Sequence, residues 1–167
     1  MQTKYKILPS KKQETLGAIR GYEEYKREYL QQQEEILSFG SKNYSEHTEY
    51  NPATKKTETS RVYIAGGGYS GSQTEDKALQ LEALERSHGA LVVKAVDTAK
   101  LIMLAELAVP KTNAERELIV QKLYESCKYG RNFIFEECGI SCIARSRFYQ
   151  HRERFIYIIA EKLGYLC

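Results

Sequence analysis

The stretch TEDKALQLEALERSHGALVVKAVDTAKLIMLAELAVP, from Thr74 to Pro110, sets the tightest limit on the fold. Leu81, Leu84, Leu91, Val92, Val96, Ala99, Ile102 and Met103 recur at steps near three and four, the period that lines one side of an α-helix. Their face is too broad for a solvated rod, so the segment reads as a central core helix with other elements packed around it. Thr74 suits the N-cap, Glu75 and Asp76 the first turn, Gly89 a break and Pro110 the end.

A second helix is expected over Lys11–Gly40, with Leu16, Ile19, Tyr22, Leu30, Ile36 and Leu37 as a narrow seam and Gly17 and Gly21 as places for a kink. So narrow a seam needs a partner, either another part of this chain or a second copy. Ser41–Asp76 is rich in Ser, Thr, Asn and Gly and has no useful period, so it reads as a linker. Its apolar cluster Val62, Tyr63 and Ile64 suits a short strand or a docking point. Gly66, Gly67 and Gly68 lack the following Lys of a phosphate-binding loop and read as a hinge.

Thr112 or Asn113 opens another helix, Ala114 to about Tyr129, with Leu118, Ile119, Leu123 and Tyr124 as its apolar side. After Gly130 come a short segment, RNFIFEECG, a turn around Gly139 to Cys142, and the amphipathic stretch IARSRFYQHRERFIYIIAEKLGYL. On a helical wheel Phe155, Ile156, Ile159 and Leu163 share the side of Phe148. Arg147, Gln150, Arg154 and Glu161 fall opposite, with His151 at the margin. Helix, short helix, turn and longer helix is the plan of a helix-turn-helix DNA reader. The chain is therefore expected to be mainly α: an N-terminal helix over 1–40, a flexible Gly-rich linker over 41–76, and a helical DNA-binding domain over 77–167.

Charge supports that assignment by position more than by amount. The net charge of +3 arises in residues 122–167, which hold eight basic and five acidic groups. Cys127, Cys138, Cys142 and Cys167 contain no CxxC pair, which favours reduced structural thiols over a metal site. No apolar run approaches the roughly 20 residues of a membrane span and the first residues lack a secretory core, so a cytoplasmic protein is expected. His47, His88 and His151 are scattered, and no HExxH or GxSxG occurs. Neither an enzyme nor a cofactor is expected.

The residues Ile143–Gly164, IARSRFYQHRERFIYIIAEKLG, resemble the motif ISRSTFYRYRRRFIYLLAKKLG found near the C-termini of phage late-gene transcription activators of the RinA and ArpU type. GGGYSGSQTEDKALQLEAL, Gly66–Leu84, is similar to the glycine-rich loop and helix start of the same group. Ser146 matches the motif's Ser, Phe148 and Tyr149 its aromatic pair, and Arg152 its following Arg. Ala144 stands where Ser is usual, and Arg147 where Thr is usual. The resemblance implies a sigma-factor-like C-terminal helix-turn-helix.

If that last helix enters the major groove, Arg147, Gln150, His151 and Arg154 point at bases, while Arg145 and Ser146 suit phosphates. Tyr149 and Arg152 either reach DNA or pack inward. The expected protein is a sequence-specific activator of phage or prophage late genes, with double-stranded DNA and host RNA polymerase as partners and a homo-oligomer as one use of the N-terminal helix. The alternatives are a terminase small subunit that recognises a packaging site, and a helical adaptor that binds no DNA.

Overall fold

The computed structural model describes residues 5–38, 44–51, 56–63, 70–107 and 112–166. The expectation of a mainly α chain holds. The elements are α1 (Pro9–Ser38), a hairpin of β1 (Tyr44–Asn51) and β2 (Lys56–Tyr63), α2 (Ser70–Glu85), α3 (His88–Glu106), α4 (Asn113–Tyr129) and α5 (Arg145–Lys162). Two single 3-10 turns, Gly130–Asn132 and Phe135–Glu137, lie between α4 and α5.

These elements fall into two compact units: Met1–Glu28 with Ser87–Cys167, and Tyr29–Arg86. The boundary lies inside α1, so the N-terminal helix is not a separate domain. Its first half buries Thr15, Leu16, Ala18, Ile19 and Tyr22 in the larger unit. Leu30 and Leu37, assigned above to the same seam, are more than half exposed.

The core of the larger unit is one cluster in which α3 packs on α5 and both pack on α4. Val92, Val96, Ala99 and Met103 of α3, Ile119 and Leu123 of α4, and Phe148, Phe155, Ile156 and Ile159 of α5 are fully enclosed. The caps explain where the helices begin. The Ser87 hydroxyl accepts from the Ala90 amide at 3.3 Å and starts α3. Thr112 and Glu115 form a reciprocal capping box that starts α4.

A polar bracket ties α1 to this core. The Tyr22 hydroxyl donates to Asp97 Oδ1 at 2.5 Å and accepts from Lys26 Nζ at 2.8 Å, and the Tyr124 hydroxyl donates to Glu23 Oε1 at 3.0 Å. Lys100 Nζ lies 4.3 Å and 4.5 Å from the centres of the two tyrosine rings. Burial, then the Asp97 hydrogen bond and charge, pushes the Tyr22 hydroxyl above the ordinary tyrosine range. Burial and then Glu23 do the same for Tyr124, and burial lowers the Lys100 ammonium.

Four expectations are corrected. The break expected at Gly89 falls earlier, after Glu85, and Ser87 caps the new start. α2 begins at Ser70, ahead of Thr74. Residues 41–76 are not a structureless linker: β1 and β2 pair antiparallel from Tyr44↔Tyr63 to Asn51↔Lys56, drawing on Tyr, Thr and Val residues that favour strands. The hairpin was hard to read because both strands are polar along most of their length. The short helix expected before α5 is instead the two 3-10 turns, separated by extended Phe133 and Ile134. Ile64, Gly66, Gly67, Gly68, Gly40, Pro110 and Cys167 lie outside the described residues.

Candidate nucleic-acid interface

The start of α5 is fixed by an aromatic block. Phe148 is fully buried, stacked nearly parallel to Phe133 with ring centres 5.7 Å apart, and tilted against Phe135 at 5.1 Å. Tyr149 meets the Phe148 ring edge-on at 5.6 Å and is half-buried, so its ring belongs partly to this block. The 3-10 turns exist to deliver Phe133 and Phe135 to that contact. Gly139, at a φ of 73°, then reverses the chain toward α5.

With Phe148 held underneath, Ser146, Arg147 and Gln150 stand exposed on the opposite side. At roughly 100° per residue they occupy about 100° of arc, the width of one face. Arg147 makes no ion pair among the described residues. Arg145 is also exposed and donates through Nη1 to Glu136 Oε1 at 2.6 Å. A solvent-exposed pair of this kind contributes little, so phosphate can replace Glu136 at small cost. The α5 N-cap is Ala144, which offers no side-chain acceptor to the first amides.

The second half of the outer face is occupied by the chain itself. Arg154 donates from Nη2 and Nε to Glu106 Oε1 of α3 at 2.8 Å and 3.1 Å. Its guanidinium carbon lies 5.1 Å from the Tyr5 ring centre and 6.0 Å from that of Tyr157. Tyr5 and Tyr157 are 5.2 Å apart, and Lys12 Nζ pairs with Glu153 Oε2 at 2.5 Å. The leading segment Tyr5–Lys12 thus lies across the outer side of α5 from Glu153 onward.

Arg152 turns inward. Its Nη2 approaches the Ser126 carbonyl at 3.4 Å and its Nε is buried without a hydrogen-bond partner. The neighbouring Cys127 thiol is enclosed, and burial pushes it up to about 11. His151 is half-buried at the margin of the open face.

Of the eight residues singled out from sequence, Arg145, Ser146, Arg147 and Gln150 share the open N-terminal part of α5. Arg154 is engaged with Glu106, Arg152 with the interior, and Tyr149 and His151 lie between these extremes. Tyr5, Lys12 and Glu106 were not singled out. They meet α5 only through long-range packing, so no local spacing marks them. Cys127, Cys138 and Cys142 are free thiols. Among the described residues no group of His, Cys, Asp and Glu could hold a metal ion, and no helix is long and apolar enough to cross a membrane. No family model, curated protein or solved structure matches the chain.

Proposed function

We propose that this protein is a sequence-specific DNA-binding activator of phage or prophage late genes, of the RinA and ArpU type, acting in the bacterial cytoplasm together with host RNA polymerase. The first two turns of α5 form the reading element. One observation carries this reading: Ser146, Arg147 and Gln150 stand open on one side of a helix whose other side is locked by the buried Phe148. Arg and Gln are the side chains suited to guanine and adenine edges in the major groove, each contact giving about 1–3 kcal/mol of discrimination. Arg145 and Ser146 supply the accompanying phosphate contacts.

The footprint on this reading is shorter than the whole helix. Arg154 adds nothing unless Glu106 and Tyr5 release it, so base reading rests on Arg147 and Gln150. The test is selection of bound duplexes from a random pool, followed by footprinting of the selected sequence in a phage genome that encodes this chain. The activator reading expects an enriched sequence, lost in Arg147→Ala/Gln150→Ala, that lies upstream of a late promoter. Enrichment at a packaging site would establish the terminase alternative. Absence of any duplex binding would leave the helical adaptor.

A further inference from the structure

The side of α5 that carries Arg147 and Gln150 does not end with them. Arg154 follows Arg147 by seven positions, two helical turns, so the two side chains leave the helix within about 20° of each other and about 10 Å apart along its axis. One continuous helix therefore puts Arg154 on the side that it turns to a duplex, at a separation that fits a major groove roughly 12 Å wide. That placement follows from the helix itself and owes nothing to its buried side.

The chain covers this position twice over. Glu106 clasps the guanidinium from α3, and the Tyr5 ring lies beside it with its centre 5.1 Å from Cζ. The acids of the region keep their charge: Glu106 offsets Arg154, Glu153 offsets Lys12, and Glu161 stands exposed two turns farther on. With both covers in place, a phosphate meets no net attraction from Arg154.

The Tyr5 cover is built so that it can come off. Tyr5, Lys6 and Ile7 precede α1, whose ladder begins with the Lys12 amide donating to the Leu8 carbonyl at 2.9 Å, so these three can lift without undoing a helical turn. Ile7 packs against the core, whereas Lys6 is exposed and Leu8 is 63% exposed. A cavity of about 500 Å³ is lined by Tyr5, Ile7, Lys12 and Glu153 among others, so the segment is not close-packed on α5. We infer that Tyr5 and Glu106 form an autoinhibitory lock that holds Arg154 off the phosphates flanking the sequence read by α5, so that the leading strap limits the affinity of the protein for DNA. This rests on the proposed DNA-reading role of α5.

The experiment titrates the selected duplex over a range of salt concentrations with wild type, Arg154→Ala, Tyr5→Ala/Glu106→Gln, and that pair combined with Arg154→Ala. Circular dichroism checks each fold. Opening the lock should tighten binding about tenfold at low salt and steepen the slope of log affinity against log salt by about 1, the mark of one added phosphate contact. The combined variant should fall back to the wild-type slope, while Arg154→Ala alone should stay within about twofold of wild type. A gain that survives the loss of Arg154 overturns the lock, because removal of the Glu106 charge would then explain it. A loss in Arg154→Ala alone overturns it too, since the residue would already reach DNA. Equal affinities throughout, alongside normal wild-type binding, overturn the lock and leave the reading by Arg147 and Gln150 standing. If Tyr5→Ala/Glu106→Gln does not fold, Tyr5→Ala is compared with Tyr5→Ala/Arg154→Ala, and absence of a gain that depends on Arg154 overturns the lock. Failure of wild type to bind any duplex overturns both the lock and the reading of α5.

Discussion

Arg154 of α5 is clasped by Glu106 of α3, with Nη2 and Nε both donating to Oε1 at 2.8 Å and 3.1 Å. A cation that sequence assigns to DNA is thereby spent on a helix–helix contact. The Glu106 hydrogen bond is the main reason the guanidinium holds its proton more tightly than usual.

Arg154→Ala is accordingly expected to cost about 0.5–1 kcal/mol of folding stability, the modest value of a partly exposed pair. It should leave duplex affinity within about twofold. Urea denaturation and a binding titration check both halves. A loss of duplex affinity comparable to that of Arg147→Ala would show that the clasp opens on DNA.

Arg152 gives the opposite expectation for a buried cation. Its Nε is enclosed and unpartnered, Nη2 has only a 3.4 Å contact to the Ser126 carbonyl, and Nη1 lies 3.7 Å from Glu153, a carboxylate that Lys12 already holds at 2.5 Å. Replacing such a group by an apolar side chain of similar length removes a desolvation penalty. Arg152→Met should therefore hold stability or raise it by about 1 kcal/mol, whereas Arg152→Glu should lower it. A marked destabilisation by Met, read from the denaturant midpoint, would mean that the guanidinium is a net contributor.

Phe148 is the side chain on which the open face of α5 depends. Phe148→Ala removes the partner of Phe133, Phe135 and Tyr149 together and is expected to cost about 3–5 kcal/mol. Phe148→Leu should retain much of that. Thermal unfolding separates the two variants, and an Ala variant as stable as Leu would contradict the packing described.

Alkaline titration should expose the Tyr22 and Tyr124 bracket. Unfolded tyrosines ionise near pH 10. Tyr22 and Tyr124 keep their protons to higher pH when folded, so their contribution is full below about pH 10 and is lost as pH climbs through the raised folded values. Lys100 acts with the other sign, because its lowered folded value penalises the native state until the unfolded chain also loses that proton near 10.5. Tyrosinate absorbance should rise in two phases, the later one with unfolding, and Tyr22→Phe should shrink that later phase. A single smooth rise in the folded protein would sink the argument.

What the sequence disclosed follows the range of the forces involved. The start of α4 at Thr112 or Asn113 and the buried face of α5 through Phe148, Phe155, Ile156 and Ile159 were legible because caps and helical periods are local. Gly89 signalled the break in the central stretch but not its position, which the Ser87 cap sets two residues earlier. Leu91 fits the apolar period of α3 yet is 47% exposed, since period alone does not say how wide a helix face its neighbours cover. In the site, Arg147 and Gln150 were readable from the wheel, and Ser146 from the motif that the end of the chain resembles. The clasp on Arg154 was not, because Glu106 lies 48 residues away, and for Arg152 the wheel offered the inward course as one of two without its Ser126 partner, 26 residues away.

Lys12 meets Glu153 across 141 positions, and Leu16, Ile19, Phe155 and Ile159 share one cluster. On the ribosome, synthesised from its N-terminal end, this unit cannot close until its last helix has emerged. Until then the apolar sides of α1, α3 and α4 wait uncovered, an interval in which a chaperone or a protease competes for the nascent chain. Production of this protein should accordingly be more sensitive to truncation within α5 than to changes in the hairpin that falls in the other unit.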